Sequence, residues 1–461
     1  MTRSLATTLV SGVLFPLHER LKGHDTVRRR RELERSQWLR ASEMESLRID
    51  RLRAFLTAIG QDVPFYRNMF RELAFEPSRV DSLAKLASLP LLTKASIRIH
   101  SDAMTATGAG PLKRYNTGGS SGEPLIFYMG RDRISHDVAA KWRATRWWGV
   151  DIGDPEVVVW GSPIEIRSQD RARALRDRLF RTHLLPAFEM SAGNLDRFVA
   201  GIRRIRPRML FGYPSALAHI ARHAKRHGQR MDDLGIQVAF VTSERLYDDQ
   251  RASIAEVFGC PVANGYGGRD AGFIAHECPR GSMHLSAEDV VVEILDDNGQ
   301  PVSPGVAGEV VVTHLATHEF PFVRYRTGDV AALDDSTCPC GRGLPRLARI
   351  EGRTTDFVIA ADGTLMHGLA LIYTVRDLPG VQHFRIIQHD LNLTEVEIVA
   401  TEYFQEVSER RIVDDFKARL GAEVVVKITR LDEIPVESSG KHRYVISHVG
   451  RPQCPTPAAV A

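Results

Sequence analysis

Residues 215–243 read SALAHIARHAKRHGQRMDDLGIQVAFVTS, and the two ends of this stretch obey different periods. In SALAHIARHAKRHG apolar residues return every three or four positions, which lays them along one face of a helix. VAFVTS is a short apolar run with β-branched residues, the pattern of a buried strand. Comparable runs stand at VVVW, 157–160, and VVVEIL, 290–295, with helical patterns between them. Such alternation predicts an α/β architecture.

Working outward, Arg28 to Leu73 reads as charged helix, with Leu33, Trp38, Leu39, Leu47, Leu52 and Phe55 at helical spacings, so a helical layer is expected over about residues 1–100. Between Asp289 and Val330 the strand-like VVVEILD and EVVVTHL flank the turn DDNGQPVSPG, which predicts an antiparallel, β-rich subdomain. Beyond EGRTTD, 351–356, come short strands, the helical IVDDFKARLG and the strand VVVKITRL. The expected division is a large domain over 1–352 and a small α+β domain over 353–461.

The chain has 461 residues, 43% of them hydrophobic and 26% charged, so it is expected to fold around sizeable cores without a membrane span. A net charge of +4 is too slight to indicate nucleic acid. The basic run Arg28–Arg31 precedes Glu32 and Glu34 at spacings that let one helix pair its own charges. Five unevenly spaced cysteines make no disulfide framework, and cytoplasm is the expected location. The apolar LATTLVSGVLFPL, 5–17, lacks a clear cleavage site and reads as a docked or membrane-surface helix.

TGGSSGEP, 117–124, could cradle phosphates through glycine backbone amides and hydroxyls, or be an ordinary mobile turn. It lacks the Gly-Lys-Ser/Thr ending of a Walker loop. Downstream and in order stand YGGRD (266–270), YRTGD (325–329), Gly352-Arg353 and Ser439-Gly440-Lys441. This ordered set resembles the adenylate-forming superfamily of acyl- and aryl-CoA synthetases, over roughly Tyr115 to Val449. YGGRDAGFIAHEC, CPCGR and ESSGKHR are similar to the branch of phenylacetate-CoA ligases and capsule-biosynthesis adenylating enzymes.

The resemblance implies a large adenylate-forming domain and a mobile C-terminal lid. It also implies an AMP-forming ligase that joins an aryl or other apolar carboxylic acid to coenzyme A, using ATP and Mg²⁺. Thr117, Gly118, Gly119, Ser120, Ser121 and Gly122 would hold phosphates, and Tyr266 and Gly267 would lie at the adenine. Asp329 would accept from the ribose hydroxyls with Arg353 assisting, and Ser243 and Glu244 occupy an adenine-loop position. Lys441 would be the catalytic lysine, delivered by rotation about a hinge at Thr355, where the family keeps a charged residue. Asp270 stands in for the family's magnesium-associated glutamate and Arg269 for a small hydroxyl residue; the two would act on the phosphate or substrate, or form a local ion pair. Trp160, Tyr213, Pro214 and Ser215 would line the acid pocket, although Trp160 equally suits core packing. Two alternatives stay open: transfer to an amine or carrier thiol, and a nucleotide-binding assembly protein that has lost turnover. The assembly is open, with a homodimer as one arrangement.

Cys278, His284, Cys338 and Cys340 supply three thiolates and one imidazole, the donors of a closed structural zinc site. His276 is an alternative ligand, and scattered reduced cysteines are the alternative reading.

Overall fold

The computed structural model describes residues 4–117, 125–160, 171–187, 192–353, 357–362, 365–367, 369–376, 378–434 and 443–449. It divides into two compact units, the first reaching to Glu351 and the second beginning at Gly352.

The first unit opens with α1 (Leu5–Leu9), a π-helical turn (Val10–Leu14), α2 (Phe15–Leu21), α3 (Thr26–Ser36), α4 (Ala41–Asp62), α5 (Pro64–Glu72) and α6 (Lys94–His100). Leu33, Leu52 and Phe55 are buried, as their helical spacing implies. Trp38 departs from that expectation. It lies in the break between α3 and α4 and is 53% exposed, with the Arg342 guanidinium 5.0 Å from its ring. The Arg28–Glu32 and Arg30–Glu34 pairs form within α3.

A hairpin of β1 (Lys113–Asn116) and β2 (Ile126–Met129) precedes α7 (Arg131–Trp147). Eleven strands then build one sheet. They are β3 (Glu156–Trp160), β4 (Thr182–Pro186), β5 (Met209–Gly212), β6 (Val238–Thr242), β7 (Val262–Gly268), β8 (Gly272–Glu277), β9 (Met283–Leu285), β10 (Val290–Leu295), β11 (Gly308–His314), β12 (Tyr325–Asp334) and β13 (Arg346–Arg353). Their order is β10-β11-β12-β13-β9-β8-β7-β6-β5-β3-β4. The half containing β3 to β7 is parallel, with α8 (Arg171–Leu179) and later helices as crossovers.

VAFVTS supplies β6, buried along its whole length between β5 and β7. Ala239 and Val241 pack in one cluster with Leu217, Ile220, Ala221 and Ala224 of helix Pro214–Arg226, so the two periods in residues 215–243 bury each other. The β-rich segment after Asp289 continues this same sheet. At the β7–β8 turn the chain reverses, and the pairs β7–β8, β8–β9, β9–β13, β11–β12 and β10–β11 are antiparallel.

The second unit is α+β. Its four-stranded sheet runs β18 (Val425–Arg430), β17 (Leu393–Ala400), β16 (Val381–Gln388) and β19 (Val445–Ser447), beside the hairpin of β14 (Phe357–Ile359) and β15 (Leu365–His367). Phe384, Ile386, Val396 and Ile398 are buried there, as are Ile412 and Phe416 of helix Glu406–Leu420.

Candidate functional site

Ligands of α/β sheets gather beyond the carboxyl ends of parallel strands. Here that edge is formed by Trp160 closing β3, Tyr213–Ser215 after β5, Ser243 and Glu244 after β6, and Tyr266–Asp270 at the end of β7. Trp160 stacks on Tyr213 with ring centroids 4.4 Å apart. The Ser215 amide donates to Glu244 Oε2 at 3.2 Å, which ties the β5 and β6 loops together, while Pro214 starts the following helix. Ser243 holds φ at 71°, a left-handed conformation that costs a non-glycine residue energy and collects at functional sites.

Two hydrogen bonds join YGGRD to YRTGD. Tyr266 donates to Asp329 Oδ2 at 2.9 Å, and Tyr325 donates to Asp270 Oδ2 at 2.6 Å. The Asp329 amide in turn donates to Thr327 Oγ1 at 3.1 Å. Arg269 is exposed and its Nη1 donates to the Asn116 carbonyl at 3.4 Å, at the end of β1. The next residue, Thr117, closes the neck of the glycine-rich loop: its amide donates to Leu125 O and its Oγ1 accepts from Leu125 N. Gly267 also has a packing reason, since a Cβ there would lie 2.1 Å from the Gly272 carbonyl of β8.

Beneath the 269–270 turn lies a buried polar group that sequence reasoning missed. Arg133 of α7 donates to the carbonyls of Arg269 and Asp270 at 3.3 and 3.4 Å, and to Asp137 Oδ2 at 2.9 Å. His136 and His314 flank Asp137, with their rings edge to face at 4.8 Å. Burial alone would raise the Asp137 carboxyl, yet the Arg133 charge holds it well below the carboxylate range. The i, i+4 spacing of Arg133 and Asp137 was the available signal, and it reads equally as an exposed helix pair.

Cys278, His284, Cys338 and Cys340 converge, their candidate ligand atoms all within 4.8 Å of one another. Cys278 Sγ and Cys338 Sγ are 3.8 Å apart, matching the edge of a tetrahedron with Zn–S bonds of about 2.3 Å. His284 places Nδ1 3.3 Å from the Leu344 carbonyl and Nε2 3.2 Å from Cys340 Sγ; donation from Nδ1 turns the Nε2 lone pair inward. Burial keeps His284 neutral down to about 4 and pushes Cys278 up to about 11. At Cys338 burial is outweighed by hydrogen bonds involving Ser282, Cys340 and Cys278, which leave the thiol at about 7. These donors fit zinc. His276 is outside the group; its ring packs on Phe273, and neither nitrogen has a partner among the described residues.

Gly118, Gly119, Ser120, Ser121, Gly122, Thr355, Lys441 and the Arg353 side chain lie outside the described residues.

The AMP-binding enzyme profile matches residues 180–317, and the CapK C-terminal domain profile matches residues 358–448. Protein CapK of Staphylococcus aureus is 22% identical over 419 residues, covering 88% of this chain and 90% of CapK. The phenylacetate-coenzyme A ligase of Thermus thermophilus is 25% identical over 390 residues, covering 81% of this chain and 85% of the ligase. The two profiles and these relatives support a likeness to the adenylate-forming superfamily, in the branch of CapK and the phenylacetate-coenzyme A ligases. The fold agrees. A 2-hydroxyisobutyryl-CoA ligase solved in its postadenylation state with 2-HIB-AMP superimposes on this chain with a TM-score of 0.72. It is 20% identical, with 90% of this chain and 91% of that one covered. No helix among the described residues is long and apolar enough to cross a membrane.

Proposed function

We propose that this protein is an AMP-forming ligase that activates a carboxylic acid with ATP and passes the acyl group to coenzyme A. The observation that carries this reading is the pair of bonds Tyr266–Asp329 and Asp270–Tyr325, which brings two distant motifs to one edge beside the neck of the glycine-rich loop.

In the first step an oxygen of the acid attacks the α-phosphorus of ATP, the bond to pyrophosphate breaks, and an acyl-adenylate forms. Both partners are anionic, so cations and amide donors must be held where charge accumulates. Residues 117–122 would hold phosphates, Tyr266 the adenine, and Asp329 the ribose hydroxyls beside Arg353. Arg269 would meet phosphate or acid with charge-assisted hydrogen bonds. Asp270 would hold Mg²⁺, which neutralises phosphate charge when bound. Lys441 would be brought to the reacting phosphate by the second unit acting as a lid. In the second step the coenzyme A sulfur attacks the acyl carbon and AMP leaves.

The stacked Trp160 and Tyr213, next to Pro214 and Ser215, favour an aryl or other apolar acid. Zinc held by Cys278, His284, Cys338 and Cys340 would be structural, because four protein donors leave no open position. Cytoplasm remains the proposed location.

The test is pyrophosphate release across aryl, fatty and hydroxy acids, with and without coenzyme A. Lys441→Ala is expected to lower release about 100-fold or more, in the range seen when a transition-state charge partner is removed. Turnover equal to the parent's would refute the assignment. Adenylate that forms but is not discharged by coenzyme A would point to an amine or carrier thiol. ATP binding without pyrophosphate from any acid would point to an assembly role.

A further inference from the structure

We propose that the outward face of the N-terminal helices docks on an anionic lipid bilayer. From Leu5 to Leu21 the helical segments run on without a break, about 25 Å at 1.5 Å per residue. Their polarity is inverted. Leu5, Leu9, Val13, Leu17 and Leu21 are 90, 53, 54, 53 and 80% exposed, whereas Thr7 and Glu19 are buried. Thr7 donates to Asp154 at 2.8 Å, and Glu19 gathers His18, His24 and Thr26. Val10 against Gly153 and Phe15 against Trp142 and Phe180 anchor the other side.

A stripe at every fourth residue drifts by about 40° per step around a regular helix of 3.6 residues per turn. The wider π turn at Val10–Leu14 takes more residues per turn and rotates the stripe back, which keeps it on one side. The neighbouring α8 adds exposed Leu175 and Leu179, its end held beside α2 by Phe180 against His18.

The charges around the stripe select the occupant. Glu19 is the sole acid between residues 4 and 24 and it is buried, while Arg20 and Lys22 are exposed. Partial burial of its stem, with Arg176 and Lys113 nearby, holds Lys22 below the usual lysine range and outweighs Glu19, so cations crowd this edge. Apolar side chains rimmed by cations match an acyl boundary beneath anionic headgroups. A second copy would set the same cations against each other, which disfavours a self-pairing face.

Flotation of the full chain with vesicles of phosphatidylcholine, alone or mixed equally with phosphatidylglycerol, tests the proposal. The protein is expected to float with the mixed vesicles and to be released by added salt. L9E/V13E/L17E, checked for folding by circular-dichroism melting, is expected to reduce the bound fraction at least about tenfold. R20E/K22E, which leaves the stripe intact, is expected to do the same, since each cation contributes several-fold in affinity. Failure of the unsubstituted chain to float, or flotation of either variant at the parental level, would overturn the proposal. A dimer that the stripe substitutions dissociate, without vesicle binding, would assign the face to a second copy instead.

Discussion

Arg133 carries more of the site than its place in the middle of α7 suggests. Arg133 is 2% exposed and its guanidinium is shared between Asp137 and the two carbonyls of the 269–270 turn, so the role proposed for it is positioning, through the backbone of Arg269 and Asp270. Removing it leaves Asp137, a mostly buried anion with 16% of its side chain exposed, without its strongest partner, at a cost of about 3–5 kcal/mol. Arg133→Met should lower unfolding free energy by that order in urea titrations. R133M/D137L should recover part of the loss, because no buried charge is then stranded. In pyrophosphate release R133M/D137L should still be slow, since the turn keeps its fold but loses its brace. Full activity in the double variant would mean that Arg133 serves folding alone.

Among the elements, the cysteine and histidine clip joins the β8–β9 turn to the segment between β12 and β13. That segment also grips the helical layer: Arg342 lies 4.4 Å over the Trp147 ring and 5.0 Å over Trp38, and the Gly343 amide donates to the Gln37 carbonyl. Extracting a metal held by this cluster would therefore loosen a junction between the helical layer and the sheet. Treatment with a strong chelator should release one zinc per chain by metal analysis and lower the melting temperature by about 5 °C or more. Cys338→Ser should reproduce both effects without chelator, and a metal-free protein that melts at the parental temperature would refute the clip. The convergence of the four candidate ligands was legible because cysteines are few in this chain and the chemistry of thiol with imidazole donors is specific. The strands were legible for a related reason, as β-branched runs such as VAFVT can be buried on both faces only in a sheet. Trp38 was misread because periodicity does not register a helix break four residues long. Arg133 was missed because the two carbonyls it braces arrive from the β7–β8 turn, a tertiary meeting that leaves no local mark, while its one local partner, Asp137, stands at a spacing shared by exposed helix pairs.

For the whole molecule, the buried histidines make stability depend on acid. Burial, with Arg143 and His136 nearby, brings His276 down to about 3; burial and Arg133 bring His314 to about 3 as well. Both stay neutral in the folded chain, while the unfolded chain protonates them near 6.5. Below that value the unfolded state binds more protons, so stability falls as pH drops from about 6.5 towards 3, by up to about 1.4 kcal/mol per pH unit for each histidine. Asp137 and Asp289 have depressed carboxyl values and add a further loss below about pH 4. His276 allows this to be separated from catalysis and from the candidate metal ligands. Its ring stacks on Phe273 at 5.3 Å and neither nitrogen has a partner among the described residues, so a phenyl ring can take its place. His276→Phe should melt within a few degrees of the parent at pH 8 and above the parent at pH 5, because the unfolded variant has no imidazole to protonate. An unchanged acid limb in His276→Phe would show that this buried ring does not couple folding to protons.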